Sequence, residues 1–367
     1  MPLPPNRADH VGSLLRPDAL RRAHGDRRAG RIDAAALTAS VEHEIRQAVR
    51  RQEDAGLQVV TDGEFRRGSW FLGFVDALEG IALAPVPLQF SATGVDDKSW
   101  HGPVIRARLR RMRPIVVDDF VFLQGTTTRV PKVTLPAPSV MHFFGGVNGV
   151  DAAVYPDLDL FFADLAAIYR EEIAALHAQG CRYLQLDEVP LALLCDPAIR
   201  QTVSARGAHP ERLIGLYIKA VNDALAGCPP DLCVVMHLCR GNYRGRWMGT
   251  GGYDPIAERL FNDLDVDGFL LEFDSERAGG FEPLRYLPAD KRAFLGLISS
   301  KSGEIENPDA LARLLDHAMR HAPAERLGLC PQCGFASSAG GNPIAPEVQW
   351  AKLALTVATA QRVWGET

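Results

Sequence analysis

Short apolar runs rich in β-branched residues alternate along the chain with longer stretches whose apolar positions recur at helical spacing. The short runs fall at residues 58–62, 130–135, 182–187, 232–237, 268–272, 293–298 and 327–329, and an eighth, 7–13, opens the chain. Between them, residues 32–55 carry Leu37, Val41, Ile45 and Val49 on one face and stop at Gly56. Residues 157–179 carry Phe161, Leu165, Ile168 and Leu176 before Gly180, and residues 210–226 and 309–321 behave alike. A strand followed by a crossover helix favours parallel pairing with both sheet faces covered. Eight such strands predict an α/β protein of the closed (β/α)8 barrel class, built as a single domain over residues 1–367.

One region breaks the alternation. Residues 81–130 contain Pro85, Pro87, Gly94, Gly102, Pro103 and Pro114, with β-type runs at 105–109 and 115–122. They predict an insertion after the second strand, a hairpin or small sheet near the barrel mouth. Its basic stretch, residues 106–113, reads as a solvated hairpin face.

Composition narrows the class. With 47% hydrophobic and 23% charged residues, the chain is neither disordered nor collagen-like. A net charge of −5 carries no basic excess for general nucleic-acid binding. No apolar run is long enough to span a membrane, and the first residues lack the pattern of a secretory signal. Seven cysteines, an odd number, do not suit an oxidised framework. The expected location is the cytoplasm.

Strand ends at the C-terminal mouth carry the chemistry of such barrels. The run 232–237 ends in His237-Leu238-Cys239, the next in Glu272, and the last leads into Cys330-Pro331-Gln332-Cys333-Gly334. Residues two apart in an extended segment face one side, so His237 and Cys239 can approach one ion together. Imidazole, thiolate and carboxylate are zinc ligands, and sulfur donors select zinc over magnesium or calcium. Taken singly the pieces have blander readings: Glu272 as a helix cap or partner of Arg277, and Cys330 with Cys333 as a redox pair or as inert buried thiols.

These motifs, with Val11-Gly12-Ser13, Asp62-Gly63-Glu64-Phe65-Arg66-Arg67 and Gln185-Leu186-Asp187-Glu188, resemble the catalytic barrel of cobalamin-independent methionine synthases, more closely the short relatives that lack the N-terminal half. The resemblance covers nearly the whole chain. It implies that His237, Cys239, Glu272 and Cys333 bind Zn2+, leaving Cys330 as a strand residue. It also implies that backbone groups at Gly12 and Ser13 hold a substrate carboxylate, and that Glu64 and Asp187 bind its ammonium. The expected reaction is zinc-dependent methyl transfer to a thiol, homocysteine becoming methionine.

The donor side departs from the family. Ser299 stands where a proton-donating histidine is found, with Lys301 two residues on, and Met141-His142-Phe143-Phe144-Gly145 replaces a Trp-Ser-Phe segment. Lys301 supplies a positive charge, and His142 is a candidate substitute acid. These departures point to a donor other than a folate polyglutamate: a methylated corrinoid on a partner protein, or a small molecule with an activated alkyl group. Other readings share the residues. One is a thiol alkyltransferase acting on coenzyme M, with Arg16, Arg240 and Arg244 to meet a sulfonate. Another is a lyase running the chemistry backwards, and a third is a non-catalytic zinc- or thiol-binding module.

Overall fold

The computed structural model describes residue 4, residues 6–85 and residues 101–367. Its strands are β1 (Val59–Val60), β2 (Leu78–Pro85), β3 (His101–Arg111), β4 (Val130–Pro131), β5 (Val133–Pro136), β6 (Tyr183–Glu188), β7 (Cys233–Leu238), β8 (Gly268–Glu272), β9 (Arg292–Ile298) and β10 (Leu327–Pro331). Six of them form one parallel sheet in the order β10-β9-β8-β7-β6-β5. Every residue of these six is buried, as expected when helices cover one face and further side chains fill the other. The interior-facing cluster includes Val11, Tyr183, Val235, Phe294 and Cys330.

The sheet continues past β5 through Lys132, whose amide donates to the Val60 carbonyl at 2.9 Å, into the short parallel ladder of β4 with β1. The expected strand over 7–13 shrinks to a single parallel bridge between Ala8 and Leu329. Its backbone turns away at Gly12 (φ 129°), a conformation that only glycine adopts readily. The segment still touches both sheet edges. Asp9 N donates to Leu329 O at 3.0 Å, Leu14 N to Gly63 O at 3.1 Å, and the Thr61 hydroxyl to Gly12 O at 2.7 Å.

The predicted helices form, and their N-termini are satisfied locally. Asp33 caps helix Ala34–Asp54 by accepting from Ala36 N at 2.8 Å, and the helix buries Val41, Ile45 and Val49. Asp157 caps Leu158–Ala178, Asn307 caps Pro308–Ala318, and proline opens Pro210–Leu225.

In the insertion, β2 and β3 pair antiparallel as a hairpin. Pro87 and Gly94 lie outside the described residues. Most of the basic stretch is a solvated face, with Arg108 meeting Asp164 at 2.8 Å, but Arg111 is largely buried against Glu172 at 2.6 Å. Residues 115–122 are not a second strand. Val117–Gln124 is a helix, and just before it the buried Glu172 carboxylate accepts the Ile115 and Val116 amides at 3.0 and 2.7 Å.

Candidate active site

His237 is at the end of β7, and Cys239 follows just past it. Cys333 lies two residues beyond β10. The donor atoms of these three buried side chains lie within 4.8 Å of one another, and the two sulfurs are 3.5 Å apart. His237 Nδ1 is 3.1 Å from the Leu270 carbonyl, which fixes the ring and leaves a buried Nε2 without a hydrogen-bond partner. The Cys239 thiol hydrogen-bonds to Cys333, which holds Cys333 well below the ordinary thiol range despite burial, helped by His237 and Lys301. Cys239 is pushed well up by that same contact and by burial. An orphaned imidazole nitrogen beside two close thiols, one favoured as thiolate, fits a zinc ion.

Glu272 borders this triad. Its Oε1 lies 3.9 Å from Cys239 Sγ, but its nearest partners are Gln332 Nε2 at 2.9 Å, Arg277 at 3.3 Å, and Arg240 and Lys301 at 3.6 Å each. Burial alone would raise its pKa, yet Lys301, Arg240 and Arg277 pull it down to about 2. Its cationic neighbours favour the charged carboxylate, and one of them, Lys301, also faces the Cys333 sulfur.

The triad lines a cavity together with Ser13, Glu64 and Asp187, and Asp187 is the cross-strand neighbour of His237. Glu64 accepts from the Thr134 hydroxyl at 3.0 Å, and its other oxygen is buried without a partner. Burial pushes its pKa up against the pull of Arg67 and Arg16. Burial, together with the Glu64 charge, pushes Asp187 up to about 7. Gly334 leaves room for Ser13, because a Cβ on it would sit 2.0 Å from Ser13 Oγ and displace that side chain. Two buried carboxyl groups with unfilled acceptor capacity suit an ammonium.

The remaining sequence candidates separate. Ser299 and Lys301 line a different cavity with Trp247 and Asp274, although Lys301 also reaches Glu272. His142 is not at the thiol site: its Nδ1 is 2.8 Å from the Tyr217 hydroxyl, its ring packs on Phe162, and burial lowers its pKa to about 4. Cys330 points into the sheet interior, so Cys333 pairs with Cys239 rather than with it. Arg16 and Arg240 are spent on backbone carbonyls, among them Ala336 O at 2.7 Å and Gly251 O at 2.8 Å. Trp70, Met248 and Asn242 line the cavity and escaped the sequence analysis. The signals available were position alone: Trp70 follows the Asp62–Arg67 motif, and Asn242 follows Cys239 by three.

Residues 8–359 match the cobalamin-independent synthase catalytic domain. The chain belongs to the cobalamin-independent methionine synthase family. Within it, the uncharacterized Bacillus subtilis protein YxjH is 40% identical over 366 residues, 98% of this chain and 95% of its own length. The methionine synthase of Pyrococcus abyssi is 26% identical over 331 residues, 89% of this chain and 85% of that one, so this chain has the proportions of a short family member. Among solved structures, a Listeria monocytogenes protein assigned as a vitamin-B12 independent methionine synthase aligns over 100% of both chains, with TM-score 0.78 and 32% identity. The expected corrinoid-protein donor finds no support among these family members. No helix among the described residues is long and apolar enough to cross a membrane.

Proposed function

We propose that the protein is a zinc-dependent S-methyltransferase that converts homocysteine to methionine. The observation that carries this is one cavity lined by a His237–Cys239–Cys333 donor set together with Ser13, Glu64 and Asp187. We further propose that residues 1–367 form a single domain whose sheet closes as a (β/α)8 barrel, the contacts of residues 8–14 with both sheet edges supplying the closure.

In this reading His237, Cys239 and Cys333 hold zinc, with Glu272 as the fourth ligand. Zinc in such a set supplies thiol activation, because it stabilises a coordinated thiolate at neutral pH. The chain does the rest. The 12–13 turn receives the substrate carboxylate, and Glu64 and Asp187 receive its ammonium, which fixes the thiol against the ligand wall. Lys301 balances the charge of Glu272 and the two cysteines, so that a further anion can enter a site already rich in negative charge. Trp70, Phe144 and Met248 wall the cavity with apolar surface and limit water beside the reacting sulfur. The donor is a small molecule with an activated methyl group rather than a folate polyglutamate, since the 141–145 segment carries no indole and His142 is turned into the core. A coenzyme M-type sulfonate is disfavoured, because two carboxylates face the pocket while Arg16 and Arg240 are engaged elsewhere. All seven cysteines are free thiols, which accords with the cytoplasm.

Elemental analysis of the purified protein, followed by zinc-edge X-ray absorption with and without homocysteine, tests this function. The expected result is zinc stoichiometric with the chain, with one more sulfur neighbour once homocysteine is added. Cys333→Ser is expected to weaken zinc retention by about tenfold or more. A zinc shell that ignores the thiol would refute the activation mechanism.

A further inference from the structure

The two poles of the amino-acid pocket come from pieces of chain that no regular ladder joins. One is the 12–13 turn, in a segment with a single bridge to β10; the other is the end of β6. Beneath the cavity a buried polar layer connects them. Lys132 is 1% exposed, and its ammonium donates to Asp9 Oδ1 at 2.7 Å, to Gln185 Oε1 at 2.9 Å and to the His10 carbonyl. The Tyr183 hydroxyl donates to the other Asp9 oxygen at 2.6 Å. An ammonium can only donate, so it holds the Gln185 oxygen toward itself and turns the Gln185 nitrogen away. That nitrogen donates to the Val11 carbonyl at 2.6 Å and to Asp187 Oδ1 at 2.7 Å. One side chain, oriented by one buried cation, thus ties the residue before Gly12 to the carboxylate that would meet the ammonium.

A buried ion pair contributes little net stability against well-packed apolar residues, so stability alone is a weak account of Lys132 and Asp9. We propose that Lys132 and Gln185 are positioning residues that fix the carboxylate pole and the ammonium pole relative to each other, making the pocket selective for thiols that carry an α-amino-acid group. This rests on the homocysteine-like acceptor proposed above. Lys132, Gln185 and Asp9 form no hydrogen bond with the proposed zinc ligands among the described residues, so their effect is separable from metal binding.

The test is calorimetric titration of the zinc-loaded protein with two thiols: homocysteine, and 3-mercaptopropanol, which has the thiol but neither pole. Wild-type protein is expected to bind homocysteine the more tightly. Gln185→Met keeps the shape and removes both donors; it is expected to weaken homocysteine by about tenfold or more, and 3-mercaptopropanol by about twofold at most. Lys132→Met is expected to do the same. If that variant does not fold, Gln185→Met carries the test alone, with circular dichroism and zinc content matching wild type. Equal losses for both thiols, or none for either, would overturn the positioning role. Wild-type protein that does not prefer homocysteine would instead overturn the acceptor assignment, and the proposal with it.

Discussion

Single residues at this site owe their chemistry to what surrounds them. Glu272 is charged because three cations and Gln332 enclose it, whereas Glu64 and Asp187, equally buried, have their pKa values pushed up. Three carboxyl groups are thereby given different charge states by their neighbours alone. His142 shows the opposite outcome. As a loop histidine it qualifies as an acid, but its ring is a core element bonded to Tyr217. His142→Ala is expected to lower stability by about 2–4 kcal/mol while leaving the turnover of folded protein near wild type. Urea melts and methyl-transfer rates on the same preparation check this; lost turnover at unchanged stability would return His142 to the reaction.

At the scale of elements, Glu172 holds the insertion to the body of the protein. From helix Leu158–Ala178 it pairs with Arg111 of the hairpin and accepts the Ile115 and Val116 amides just before the helix Val117–Gln124. Glu172→Ala leaves two amides without their acceptor and the largely buried Arg111 guanidinium with only the exposed Glu171, and is expected to cost about 3–5 kcal/mol. Glu172→Gln, which keeps one acceptor oxygen, is expected to cost less. Thermal melts of the two variants rank these effects; equal costs would show that the Arg111 ion pair dominates. The pattern of residues 115–122 looked like a strand because its apolar residues are β-branched or aromatic, and nothing local revealed that a carboxylate 57 positions away holds the amides just before a helix there.

For the whole molecule, pH acts through carboxyl groups buried in the fold. Burial pushes Glu188 up to about 7 from 4.5, so between those values the folded protein keeps a proton that the unfolded chain has released. Stability therefore falls as pH rises through this window and levels off above it, by up to about 3 kcal/mol from this group. Glu188→Gln is expected to flatten the stability–pH curve between those pH values and to raise stability at pH 8. Asp187 and Asp119, also raised by burial, leave a residual slope. Denaturant titrations across that range decide it; an unchanged slope would mean that Glu188 is charged in the fold.

Most of the strand and helix order, the approach of His237, Cys239 and Cys333 to one another, and the family were legible in the sequence. Periodicity, caps and short-range spacing are local properties that the chain carries in order. Tertiary structure decided what local pattern cannot express. It turned residues 7–13 from a strand into one bridge, because Gly12 leaves the extended conformation and Asp9 is drawn inward to Lys132. It sent His142 to the core, gave Cys239 rather than Cys330 to Cys333, and enclosed Glu272 with cations from three different loops. Side chains far apart in sequence become neighbours only when the sheet and its loops assemble, and their charge states follow from that proximity and the loss of water.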